Sequence, residues 1–302
     1  MGTIGKALLR QIYRCAGLAL FVALAAGCGG DKSSVPSQFS YDDSRALDVQ
    51  DKPTSFSTNE VRVDDIAFTG PGDTRLNAYV LMPSNSEGKH PAVIYAHGAG
   101  GDRQELLDEA RQMAEKGAVT LTLDMIYSPS RAKPLPQGMA GARENSRLEQ
   151  EAVKEVRRAV DYLQSRDDVD DDQIGYVGWS AGARMGALIS GVEHRIKAFD
   201  LIAGGGAPVS EYVKYAPADL QEELETILEK TDPIHFVGLA KPSELLFQDG
   251  RQDEVVSEAA LKGLAGAGSE PKEVRWYESG HVPSSKMWSD SRTWLADKLE
   301  IS

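Results

Sequence analysis

Cysteine is nearly absent from this 302-residue chain, with Cys15 and Cys28 the only two. Too few remain for a disulfide framework, so stability must come from an apolar core. Basic blocks with interleaved aromatics are missing as well. The 46 acidic against 33 basic side chains leave a formal charge of −13, which excludes nucleic acid as a partner. No HExxH, no paired cysteines and no calcium-loop aspartate ladder occur, so no metal is expected. The dinucleotide fingerprint is also lacking, and no cofactor is expected. The acidic run from Asp167 to Asp172 reads as a solvated turn. No apolar run reaches the roughly 20 residues that a membrane-spanning helix needs.

What is present suits an α/β domain, since 41% of the chain is hydrophobic and a full core can be built. At the start, Lys6, Arg10 and Arg14 precede an apolar run from Cys15 to Ala26, the pattern of a cleaved export signal. Ala25-Ala26-Gly27-Cys28 resembles the lipobox of bacterial lipoproteins, although Leu24 stands four places before the cysteine where that family has leucine at three. The expectation is a signal peptide over 1–27, lipidation at Cys28 and anchorage in the bacterial cell envelope. Export as a soluble protein is the alternative. Losing three positive charges with the signal would take −13 to −16. From Gly29 to about Thr58, Ser, Asp, Pro and Gln without apolar periodicity predict a flexible tether over 28–58. The folded domain is expected over 59–302.

Strand and helix patterns alternate through that domain. Val61–Phe68 and Leu76–Met82 read as an antiparallel pair around the turn Gly70–Asp73. Ala92–Ala96 and Val119–Leu123 read as buried strands, with a helix over 103–116 between them. The stretch 124–145 looks irregular. Leu148, Ala152, Val156, Ala159, Val160 and Leu163 then mark a long amphipathic helix. Further strands are expected at Ile174–Val177, Ala198–Ala203, Leu245–Phe247 and Glu273–Tyr277, with helices near 255–264 and after Met287. About forty residues, 206–241, form a small helical insertion or lid whose outer face is rich in glutamate. The fold class is α/β: a mostly parallel sheet of about eight strands with helices on both faces.

Chemistry centres on Gly178-Trp179-Ser180-Ala181-Gly182, which follows the apolar strand and opens a small-residue helix. A serine on such a turn is forced into a strained conformation with its hydroxyl projecting, and the flanking glycines let strand and helix approach. An acid after a later strand and a histidine after the last one complete the chain order Ser, Asp, His.

On the stretches AHGAGG at 96–101, YVGWSAG at 176–182, DGRQDEVV at 249–256 and ESGHVP at 278–283, the chain resembles the α/β-hydrolase superfamily. It is most similar to the branch of dienelactone hydrolases and prolyl-oligopeptidase catalytic domains. The resemblance implies a serine hydrolase with Ser180 as nucleophile and His281 as its base. Asp253 is favoured as the acid because it lies three residues beyond Gly250 with valines following, and Asp249 reads as a turn-former. It also implies oxyanion donors at the amides of Ala99 and Ala181. His97 belongs to the oxyanion loop and shapes its backbone. Tyr127 and Trp179 are weaker candidates for substrate contact.

The substrate expected is a small acyl compound, a carboxylic ester above all. A serine peptidase and a non-catalytic ligand-binding envelope lipoprotein on the same fold are the alternatives. Glutamates of the insertion predict that strongly anionic substrates are disfavoured. Oligomeric state is not encoded in any pattern found.

Overall fold

The computed structural model describes residues 35–84 and 87–301; the segment expected to be a signal peptide and Cys28 lie outside them. Among the described residues nine strands form one sheet: β1 (Gln50–Pro53), β2 (Val61–Thr69), β3 (Arg75–Pro83), β4 (His90–Ala96), β5 (Val119–Leu123), β6 (Val169–Trp179), β7 (Ile196–Ile202), β8 (Glu244–Gly250) and β9 (Lys272–Tyr277). Their order is β1-β2-β3-β5-β4-β6-β7-β8-β9. From β5 to β9 neighbours run parallel, and β1, β2 and β3 add an antiparallel edge.

Helices α1 (Leu107–Glu115) and α8 (Ser285–Lys298) cover one face. Leu107, Met113, Met287, Trp294 and Leu295 pack there with Val93, Tyr95 and Leu246 of the sheet. The other face carries α2 (Gly138–Gln164), α3 (Ala181–Ser190), α6 (Pro233–Val237) and α7 (Glu258–Ala267). There Val156, Val160, Ala187, Leu188, Phe236 and Leu264 meet Ile94, Tyr176, Phe199 and Phe247. Two apolar layers around one sheet leave β4 buried along Ala92–Ala96, which is why its sequence is apolar throughout rather than alternating.

Three expectations about elements need correction. Residues 35–58, mostly exposed, are docked at points rather than free along their length: Phe39 is fully buried and meets the Phe236 ring edge-on. The Tyr41 hydroxyl donates to Asp161 at 2.8 Å, and β1 pairs with β2. A polar stretch hides this because two aromatics, without periodicity, dock it. The acidic run is a turn only at Asp167 and Asp168. Val169 is buried within it and starts β6, and an irregularity between His90 and Ala92 takes up the extra residues. Finally, α2 begins at Gly138, inside the stretch that looked irregular.

The insertion contains α4 (Val209–Val213), α5 (Gln221–Leu228) and α6. Phe236 and Val237 of α6 belong to the core, so its last part is a crossover rather than a lid. The earlier part is tied to α2 through Arg143 with Glu223, the Ser146 hydroxyl to Ile227 O at 3.1 Å, and the Thr231 hydroxyl to Glu149 at 2.5 Å.

Candidate active site

Ser180 stands where β6 meets α3, with φ 54° and ψ −109°. A non-glycine residue adopts that backbone only when its surroundings impose it. The imposition is visible. The Ser180 amide donates to Ile202 O of β7 at 2.8 Å, and α3 lies so near the sheet that a Cβ on Gly182 would fall 2.2 Å from Ala96 O. Residue 182 therefore has no room for a side chain, and the tight turn follows.

His281 follows β9 on a loop without regular structure. Its Nε2 lies 2.9 Å from Ser180 Oγ, and its Nδ1 lies 2.8 Å from Asp253 Oδ2. The carboxylate must accept from Nδ1–H, which leaves Nε2 as the acceptor for the serine hydroxyl. Asp253 Oδ1 accepts from the amides of Val255 and Val256, both at 2.8 Å. These three side chains, far apart in sequence, are brought into one hydrogen-bonded line. The Asp253 side chain is 1% exposed, so the interaction acts in a poorly screened setting.

Asp249 corrects the sequence reading in another way. It lies inside β8, 1% exposed, and its Oδ2 has no hydrogen-bond partner. Burial first, and the nearby Asp253 charge second, push its carboxyl up to about 8. It is neither a turn-former nor a partner of His281.

The 97–101 loop follows β4. His97 is 1% exposed; its Nε2 accepts from the Met125 amide at 3.1 Å, so Nδ1 carries the proton and donates to Gly98 O at 2.8 Å. Burial lowers its basicity, which keeps it neutral and structural. The Tyr127 hydroxyl donates to His97 O at 2.9 Å, so its proton is committed to backbone rather than offered to a ligand. Glu105, which no sequence motif singles out, accepts from the Gly98 amide at 2.8 Å. Ala99 is exposed on this loop. Ala181 opens α3, so its amide has no carbonyl within the helix to bond. Trp179 is half-buried, and its Nε1–H donates to His281 O at 3.0 Å.

Such an arrangement can activate a hydroxyl toward a carbonyl carbon and place the helix N-terminus where negative charge develops. Comparison with known proteins gives this a family. A family model described as acetyl xylan esterase (AXE1) matches residues 40–203, and one described as BAAT / acyl-CoA thioester hydrolase C terminal matches 156–259. The Bacillus subtilis (strain 168) protein YtaP is 28% identical over 152 residues, 42% of this chain and 47% of its own. The match thus spans under half of that relative. Among solved structures, an acetyl xylan esterase from Paenibacillus sp. R4 superposes with TM-score 0.71 at 21% identity, over 84% of this chain and 90% of that one. Acetyl xylan esterase 1 from Thermoanaerobacterium sp. JW/SL YS485 gives 0.73 at 17%, over 86% and 90%. A dienelactone hydrolase from Klebsiella pneumoniae and a prolyl endopeptidase share the fold too, each at 14% identity, with TM-scores of 0.57 and 0.65. They cover 84% and 82% of this chain, and 99% and 40% of their own chains. Since the first family model spans more than half of its length, this α/β-hydrolase chain belongs to the acetyl xylan esterase (AXE1) family of ester-cleaving hydrolases.

Proposed function

We propose that the protein is a serine hydrolase that cleaves carboxylic esters through an acyl-enzyme. The observation that carries the reading is the continuous hydrogen-bonded line from Ser180 Oγ through His281 to Asp253, at 2.9 and 2.8 Å, beginning on a strained turn. In this reading Ser180 Oγ attacks the ester carbonyl carbon while His281 Nε2 takes the hydroxyl proton. Asp253 stabilises the imidazolium and holds its tautomer. The carbonyl oxygen becomes an oxyanion facing the amides of Ala181 and Ala99. Collapse expels the alcohol, which takes the proton from Nε2 and leaves Ser180 acylated. Water then repeats the sequence, His281 again taking a proton, and releases the carboxylic acid.

The relatives' names favour a small acyl group, acetyl first, on a carbohydrate alcohol. The match to an acyl-CoA thioester hydrolase region, which includes both Ser180 and Asp253, favours thioester cleavage as a second reading. The same nucleophile serves both, because only the leaving group changes. Export and anchorage through Cys28 complete the proposal, resting on the signal-like segment before it.

The test is a panel of p-nitrophenyl acetate, butyrate and octanoate, acetylated xylo-oligosaccharide and acetyl-CoA, run on wild type and Ser180→Ala. Turnover of at least one ester that falls by several orders of magnitude in the variant supports the reading. Equal activity in both proteins, or none in wild type on any substrate, overturns it. Faster thioester than ester cleavage selects the second reading.

A further inference from the structure

The reaction proposed above needs two loops from distant parts of the chain to hold station about Ser180: the one after β9 that carries His281, and the 97–101 loop after β4. The indole of Trp179 lies between them. At its pyrrole end, Nε1–H donates to the main-chain carbonyl of His281 at 3.0 Å, and the ring centroid sits 5.9 Å from the imidazole at a 40° tilt. At its benzo end, Cε3 and Cζ3 lie against Gly98, where an added Cβ would come within 3.3 and 3.5 Å of them. Gly98 is held from its other side by Glu105, which accepts the Gly98 amide.

We infer that Trp179 is a positioning residue for the reaction, a rigid spacer that fixes the base loop and the oxyanion loop relative to each other and to Ser180. This rests on the Ser180–His281–Asp253 reading. Three observations make the role specific to this side chain. Trp179 precedes Ser180 directly and pairs with Ile202 at the end of β6, so spacer and nucleophile share one fixed piece of backbone. The indole has an N–H donor at its pyrrole end and a flat apolar edge at its benzo end, so one rigid ring can bond one loop and pack against the other. Finally, the His281 loop needs an anchor. Val282 beside it is 69% exposed; the loop's backbone is tied at Ser279, whose carbonyl accepts from Gln252 N at 3.0 Å, and at Ser284, whose carbonyl accepts from Trp288 N at 3.1 Å, and between the two the indole holds the main-chain carbonyl of His281.

Shifts on the order of an ångström in the attacking geometry cost about 100-fold in rate. Where acylation limits turnover, KM equals the substrate dissociation constant, set by groups that touch substrate, so losing the N–H lowers the acylation rate and leaves KM unchanged.

The experiment measures the rate at which a fluorophosphonate labels Ser180, together with kcat and KM for p-nitrophenyl acetate. The proteins are wild type, Ser180→Ala, Trp179→Phe, Trp179→Ala, Gly98→Ala and the Trp179→Ala/Gly98→Ala double variant. Wild type labels and Ser180→Ala does not. Trp179→Phe keeps the ring and the melting temperature, labels roughly 10- to 100-fold more slowly, and keeps KM within about twofold of wild type. Gly98→Ala slows acylation by pressing a methyl on the indole, and adds nothing once Trp179→Ala has removed it. Wild-type labelling in Trp179→Phe, a loss confined to KM, or effects of Trp179→Ala and Gly98→Ala that simply multiply would each overturn the inference. An unlabelled wild type, or a labelled Ser180→Ala, removes the serine reading itself and the inference with it.

Discussion

Asp253 and Asp249 stand four residues apart and meet opposite surroundings. Asp253 has two backbone amides and the His281 Nδ1–H to receive, so its charge is compensated. Replacing it with Asn keeps the size but removes the charge that stabilises the imidazolium. By the triad logic kcat should then fall by roughly 10³- to 10⁴-fold, with Asp249→Asn costing less than about tenfold. Steady-state kinetics on one ester checks both, and equal losses would make Asp249 the working acid. Asp249 instead bears on stability. Its carboxyl is raised to about 8 by burial and then by Asp253, and Asp200, fully buried, is raised to about 7 by burial. Both pKa values exceed the unfolded value near 4, so the folded state binds more protons between these limits. Their stabilising contribution is complete below pH 4 and is lost as pH rises through 7 to 8. Urea midpoints should therefore decline from pH 5 to pH 9, and Asp249→Asn should flatten that decline, gaining about 1–3 kcal/mol at pH 9 and little at pH 5. A variant with the wild-type slope would show that this carboxyl does not titrate there.

Among the elements, the segment over 35–58 makes the clearest prediction. If it were a tether, Phe39→Ala would leave stability unchanged. With Phe39 fully buried against Phe236 and α2, the substitution should cost about 3–5 kcal/mol in denaturant unfolding. How far the elements could be read from sequence follows from the same physics. β5 is readable to the residue because Val119-Thr120-Leu121-Thr122-Leu123 alternates, is rich in β-branched residues and follows the helix-stopping Gly117, and the β2–β3 hairpin because its turn carries Gly and Pro. The docked N-terminal segment was not, since burial of a lone Phe leaves no period. The first turns of α2 were concealed by Gly138 and Gly141, both poor helix formers. For the site, the serine turn and the positions of Asp253 and His281 at strand ends are local features and were legible. The roles of Glu105 and Trp179 depend on residues 98, 105, 179 and 281 meeting in space, which no spacing along the chain reveals.

At the scale of the whole molecule, net charge should bias which substrates approach. The formal charge is −13, and Glu222, Glu225 and Glu229 are exposed on the insertion, whose earlier part is fastened to α2 through Arg143 and Ser146. An anionic substrate therefore approaches against a field that is poorly screened at low salt, where the Debye length is about 30 Å at 0.01 M, and well screened at 1 M, where it is about 3 Å. Encounter, and hence kcat/KM, carries this penalty, while kcat for bound substrate changes little. A monoester of a dicarboxylic acid should thus show roughly tenfold lower kcat/KM than a neutral ester of equal length at 0.01 M salt, and the two should converge as salt rises. Substituting Glu222, Glu225 and Glu229 by Gln should narrow the low-salt gap without changing turnover of the neutral ester. A dicarboxylate monoester cleaved as well as the neutral one at low salt, or a ratio indifferent to salt, would show that the protein's field does not select its substrates and that the contacts inside the pocket do.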